Sequence, residues 1–167
     1  MKLWTKAVLT VAALSLAACT DPGGFGNDDD FGAGTGSDLG SNADPSSIAY
    51  FQEAVGDRVL FVVDQSTLSE QGRLVVLAQA NWLMQNTDYV AVIEGHADEQ
   101  GTREYNLALG ARRASAVQEL LVSQGVASNR IRTLSYGKER PIEICSEESC
   151  YAQNRRAVTV LTANLSG

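Results

Sequence analysis

Histidine is nearly missing from this chain: there is one, His96, alongside three cysteines, three prolines and two methionines. That scarcity removes whole classes of chemistry. A tetrahedral zinc centre wants four nitrogen or sulfur ligands. There is also no HExxH sequence, no nucleophile-elbow serine motif and no cysteine paired with a histidine. Long hydrophobic runs are lacking too. The longest, Ala7 to Leu16, is broken by Thr10 and Ser15, and is roughly half of the ~20 residues a bilayer-spanning helix needs. Positive charge is short: 13 lysines and arginines stand against 20 acidic residues, a net charge of -7. Such a chain is a poor candidate for binding nucleic acid or an anionic lipid surface.

What is present begins with Met1-Lys2-Leu3-Trp4-Thr5-Lys6, two cations ahead of the short apolar run. This is the charged start and hydrophobic core of a signal peptide, expected over residues 1–18. Leu16-Ala17-Ala18-Cys19 resembles the bacterial lipobox, in which the cysteine is acylated and the chain is cut just before it. Cys19 is therefore the expected lipidation site, with the lipid carrying the anchoring free energy at ~0.8 kcal/mol per buried CH2. Thr20 follows where an inner-membrane retention signal would have aspartate. The expected location is the outer membrane, with the rest of the chain in the periplasm. An exported chain meets oxidising conditions, so the remaining pair, Cys145 and Cys150, is expected to form a disulfide closing a short loop. A two-cysteine metal site is the rival reading, weakened by the distance to His96. No cofactor is implied.

From Cys19 to residue 44 the chain is rich in Gly and Asp with hardly any large apolar side chain. It cannot bury enough surface to offset chain entropy and reads as a flexible linker. Residues 45–167 then carry the pattern of one globular domain. Residues 46–55 read as a short amphipathic helix presenting Ile48, Phe51 and Val55, and 58–63 as a strand. Ser69 caps an expected helix running to residue 85. A strand over 89–94 precedes a long helix over 101–123, with Leu107, Gly110, Ala114, Val117 and Leu121 as its inner stripe. Strands at 131–136 and 157–162 complete the set. The order β-α-β-α-β-β predicts an α+β fold: a two-layer sandwich of a mixed four-stranded sheet with helices on one face.

The informative stretch is Gly95-His96-Ala97-Asp98-Glu99-Gln100-Gly101-Thr102, after a strand and before the long helix. A strand end facing a helix N-terminus, with its free N–H groups, is a ready site for an anionic group. On that helix Asn106 and Arg113 are two turns apart and nearly in line, while Arg112 points about 100° away. Asp98 and Arg113 would then frame a small pocket suited to a zwitterion.

These residues, with Ser135-Tyr136-Gly137-Lys138-Glu139-Arg140-Pro141 and Asn154-Arg155-Arg156-Ala157-Val158 in the same order, resemble the C-terminal domain of the OmpA family. The likeness runs from about Val59 to Leu161, and the lipobox and linker point to its lipid-anchored members, since no barrel precedes the domain. The resemblance implies non-covalent binding of diaminopimelate in peptidoglycan stem peptides. Asp98 would meet the ammonium group and Arg113 the carboxylate, with Asn106 in support. It also implies membership of the Tol envelope system, with the propeller protein TolB as partner and a role in envelope integrity and cell division. His96, Gly101, Thr102, Arg155 and Arg156 are further candidates. The family's FxFD strand end is here Phe61-Val62-Val63-Asp64, without the second aromatic.

Each residue has a plainer reading. Asp98 is alternatively a turn cap, Arg113 an exposed helix arginine, His96 a hydrogen-bonded turn residue, and Asn154-Arg155-Arg156 a solvated strand entry. Asp98 and Arg113 are expected to matter little for folding. Glu94, Asp98 and Glu99 superficially supply the two carboxylates of a murein hydrolase, although Glu94 sits in a strand with an inward or structural role. A third reading is a protein-interaction module that binds TolB only.

Overall fold

The computed structural model describes residues 40–163. The expected signal peptide, Cys19 and most of the linker lie outside those residues. Ser41 to Asp44, placed in the linker by composition, are already tied down: Ser47 Oγ donates to the Ser41 carbonyl at 2.7 Å and Asn42 Nδ2 to Glu53 Oε2.

The elements are α1 (Ile48–Tyr50), widening into a π-helical turn at Phe51–Gly56, then β1 (Arg58–Leu60), α2 (Glu70–Gln85), β2 (Tyr89–His96), α3 (Arg103–Ser123), β3 (Ile131–Gly137), α4 (Glu148–Asn154) and β4 (Arg156–Ala163). The sheet order is β1-β4-β2-β3. β2 and β3 are parallel and the other pairs antiparallel, so the sheet is mixed and the α+β class holds. Side chains alternate faces along a strand. Ala91, Ile93, Ala157, Thr159 and Leu161 are buried on the face covered by α2 and α3, with Val76, Ala80, Leu83, Val117 and Leu121 opposite them. Each large aliphatic side chain buried in this way contributes roughly 1.5–3 kcal/mol.

Local chemistry explains the boundaries. Ser69 Oγ accepts from Gly72 N at 3.0 Å and Thr102 Oγ1 from Tyr105 N at 3.2 Å, so α2 and α3 each begin on a hydroxyl cap. β1 stops three residues short of the expected end because the chain turns at Val62–Gln65, where Gln65 N donates to Val62 O at 3.1 Å. Asp64 in that turn has φ 55°, the sole non-glycine residue with positive φ among those described.

Two other expectations are corrected. Leu107 is 44% exposed and does not belong to the inner stripe of α3, where Asn106, Leu109, Gly110, Arg113, Ala114, Val117, Leu120 and Leu121 are buried. The segment between β3 and β4, expected as a loop, contains α4. The disulfide Cys145–Cys150 is formed at its start.

Candidate functional site

Two glycines set the depth at which the site is built. α3 runs back along β2 so closely that a Cβ on Gly95 would lie 1.9 Å from the Gly110 carbonyl oxygen, and one on Gly110 2.4 Å from Ser135 Oγ. Only a residue without a side chain fits at either position. Asn106 lies one turn before Gly110 and Arg113 just under one turn after it, so both are pressed against the end of β2 and the segment Ala97–Thr102.

Arg113 is completely buried. Its guanidinium donates from Nε to Gln65 O at 2.8 Å, from Nη1 to His96 O at 2.7 Å and from Nη2 to Val62 O at 3.1 Å, over the Phe61 ring at 5.2 Å. Burial pushes its pKa down to about 10, opposed by the nearby charge of Asp98. The burial of Arg113 overturns the plainer reading of an exposed helix arginine, and its three carbonyl bonds argue against the expectation that it matters little for folding. It lies in the buried stripe of α3 and ties the turn after β1 to the end of β2. Three of its five N–H groups are engaged.

Asp98 is buried as well, with 11% of its side chain exposed. Its Oδ2 accepts from Arg155 Nη1 at 3.2 Å and its Oδ1 from Gln100 N at 3.2 Å. Asp98 thus caps the small turn ahead of α3, as its plainer reading has it, while the cap of the helix itself is Thr102. Arg155 also donates from Nε to Phe61 O at 3.2 Å and makes two contacts to Glu148: a very short one from Nη2 to Oε1, and one from Nη1 to Oε2 at 3.5 Å. Burial lowers the Arg155 pKa, yet the bonds to Glu148 and Asp98 outweigh it and the shift is upward. Asn106 Nδ2 donates to Gln100 O at 2.6 Å, which fixes the loop carrying Asp98.

Asn154, also fully buried, holds Glu99 Oε1 at 2.6 Å and receives the Ile142 and Glu143 amides, joining the β3–β4 connection to the same loop. Arg156 is buried and donates to the carbonyls of Asn154 and Arg140. The plainer reading of a solvated strand entry at residues 154–156 is therefore overturned: all three side chains are interior. Gly101 and Thr102 are exposed, Gly101 with φ 87°.

His96 corrects a further expectation. It ends β2, is 2% exposed, and neither ring nitrogen has a hydrogen-bond partner. The ring stacks on Tyr136 at 5.5 Å, with Arg140 3.7 Å above the Tyr136 ring. Its Nε2 is 3.8 Å from Glu94 Oε2. Because Gly95 faces α3, Glu94 and His96 lie on the opposite face of the sheet; of the inward or structural role expected for Glu94, the inward one does not hold, and the carboxylate sits half-buried beside His96.

The structure brings Asp98, Arg113, Asn106 and Arg155 together and leaves His96 across the sheet. Sequence reasoning missed Glu148, whose relation to Arg155 appears only once α4 is known to be helical, and Tyr105, whose hydroxyl donates to Asp64 Oδ1 at 3.2 Å.

With this geometry in hand, the match of the OmpA family model to residues 60–155 decides the kinship. The chain belongs to the OmpA family. This OmpA-family chain is 48% identical over 156 residues to the peptidoglycan-associated lipoprotein of Mesorhizobium japonicum, covering 93% of this chain and 90% of that protein. It is 49% identical over 154 residues to that of Rhizobium meliloti, covering 92% and 85%. Among solved structures it is similar to the crystal structure of the peptidoglycan-associated lipoprotein from Burkholderia pseudomallei, with 35% identity, a TM-score of 0.64, and coverage of 72% of this chain and 98% of that one. The C-terminal domain of Helicobacter pylori MotB, at 20% identity and TM-score 0.61, shares the OmpA-like fold.

Proposed function

We propose that this chain is a non-enzymatic tether, held to the outer membrane by lipid on Cys19 and gripping peptidoglycan in the periplasm through the diaminopimelate of its stem peptides. The observation that carries the reading is the charge cluster at the end of β2: Asp98 beside Arg113 and Arg155, at the base of a loop that Asn106 and Asn154 hold in place. A ligand centre bearing an ammonium and a carboxylate matches it in both signs. Asp98 takes the ammonium group. Arg113 takes the carboxylate through its guanidinium N–H groups, and a planar guanidinium suits a carboxylate better than a point charge. The turn Val62–Gln65 covers Arg113, so this engagement requires the turn to move aside. Asp64, at positive φ in that turn, is tied to α3 by the Tyr105 hydroxyl, a bond that such movement would break. The names of the relatives support the same class of ligand.

The hydrolase alternative has little support in the geometry. Each carboxylate it would need already faces a protein partner: Asp98 faces Arg155, Glu99 faces Asn154, and Glu94 lies beside His96 on the other face of the sheet. Tol proteins, TolB among them, are the proposed protein partners. Incubation of the full-length protein with purified sacculi tests the reading. Co-sedimentation without released fragments is expected. Soluble fragments would indicate a hydrolase, and no sedimentation a module that binds protein only.

A further inference from the structure

We infer that Glu148, held at the start of α4 by the neighbouring Cys145–Cys150 disulfide, is a positioning residue that keeps the Asp98 carboxylate available to a cationic ligand group; the inference rests on the binding role proposed for Asp98. The argument begins with Arg155. A buried guanidinium 3.2 Å from a buried carboxylate would by itself neutralise it, and a neutral pair is a poor acceptor for an ammonium ion. Here the guanidinium is shared. Glu148 and Arg155 stand seven residues apart, the first at the N-terminal end of α4 and the second at its C-cap, so both lie nearly on one line of the helix. Glu148 takes Nη2 and also reaches Nη1, so Asp98 holds the guanidinium through Nη1 alone and shares that nitrogen with Glu148.

The carboxylates that interact with Arg113 and Arg155 are Asp64, Asp98 and Glu148, and removing the charge of Glu148 would leave Asp98 as the one carboxylate bonded to Arg155.

α4 has only seven residues, and its N-cap, Glu147, supplies no side-chain cap bond. A helix so short is marginal alone. Cys150 lies in its first turns and is bonded to Cys145, outside the helix, which fixes the end that carries Glu148. Asn154, bonded to Glu99 and Glu143, fixes the other end.

The test is calorimetric titration of the full-length protein with two peptides: a diaminopimelate stem peptide, and its 2-aminopimelate analogue, which lacks only the distal amine. Glu148→Gln should weaken the amine-bearing peptide by about two- to fivefold, the scale of a partly exposed ion pair, and leave the analogue unchanged. A merely structural role would weaken both equally and overturn the inference. Cys145→Ser with Cys150→Ser should reproduce the selective loss, and adding Glu148→Gln to that variant should bring little more, because both changes act through one contact. Additive losses would overturn the part assigned to the disulfide. If wild type already fails to prefer the amine-bearing peptide, the role of Asp98 is wrong. If wild type prefers it and Glu148→Gln keeps the full preference, only the inference about Glu148 fails.

Discussion

Gly110 of α3 rests against Gly95 of β2 with no room for a methyl group between them. A Cβ on Gly110 would come within 2.8 Å of the Gly95 carbonyl oxygen. That single contact sets the height of α3 above the sheet, and with it the reach of Arg113 to the His96 carbonyl at 2.7 Å.

Alanine at Gly110 has two opposed effects. Inside a helix it is favoured over glycine by about 1 kcal/mol. Here the methyl meets backbone on β2, which cannot swing aside, and overpacking of this kind costs about 1–3 kcal/mol or more. Gly110→Ala should therefore be destabilising, with a melting temperature several degrees lower. An unchanged or raised melting temperature would show that α3 can lift off without penalty.

Arg113→Lys keeps the charge and loses the fork. One ammonium cannot reach the carbonyls of Val62, Gln65 and His96 together, and each buried acceptor left unpaired costs about 1–3 kcal/mol. A loss of about 2–5 kcal/mol in urea unfolding is expected. A loss below about 0.5 kcal/mol would mean that the carbonyl bonds contribute little to folding.

The only histidine supplies a clean pH signal. Burial, with the charges of Arg156 and Arg140, pushes the His96 pKa down to about 4, whereas in the unfolded chain it is near 6.5. Between these values only the unfolded chain binds the proton. Stability is therefore lost as pH falls through that window, and this group adds no further loss below about 4. Between pH 7 and pH 5 the loss is about 2 kcal/mol. Denaturant midpoints across this range should fall in wild type and fall much less in His96→Phe. Imidazole proton resonances should stay at their neutral positions down to pH 5. Titration of the ring near pH 6.5 would contradict the burial.

Much of this fold was legible because period and punctuation agreed. Ser69 and Thr102 sit ahead of helical stripes, and Tyr89 to Glu94 is a run of strand formers. Where reading failed, a non-local contact decided. Leu107 fits the helical period, but it meets β3 through its backbone, at Ser135 and Gly137, and its side chain is left exposed. Arg113 looks like a surface residue because arginine usually is one, and its burial depends on carbonyls from a turn about 50 residues away. α4 carries no apolar stripe, so only its disulfide and the asparagine at its end reveal it. The strand-to-helix context and the family resemblance single out Asp98 and Arg113 as candidates, and the structure places them in one charge cluster. Glu148 needed coordinates.

The anchor makes a separate prediction. Cys19→Ser removes the proposed acylation site and should leave an uncleaved precursor that takes up no labelled fatty acid. Continued labelling of that variant would remove the lipobox reading.

The central claim is that the cluster around Asp98 and Arg113 recognises a carbon bearing both an ammonium and a carboxylate. Because Arg113 supports the fold, the most direct test alters the ligand and leaves the protein intact. Wild-type protein is titrated calorimetrically with a diaminopimelate stem peptide and with its lysine analogue, which lacks the distal carboxylate. Binding at least about tenfold tighter to the diaminopimelate peptide, the scale of one charge-assisted hydrogen bond in a partly buried site, is the predicted result. Equal affinity for the two peptides would contradict it.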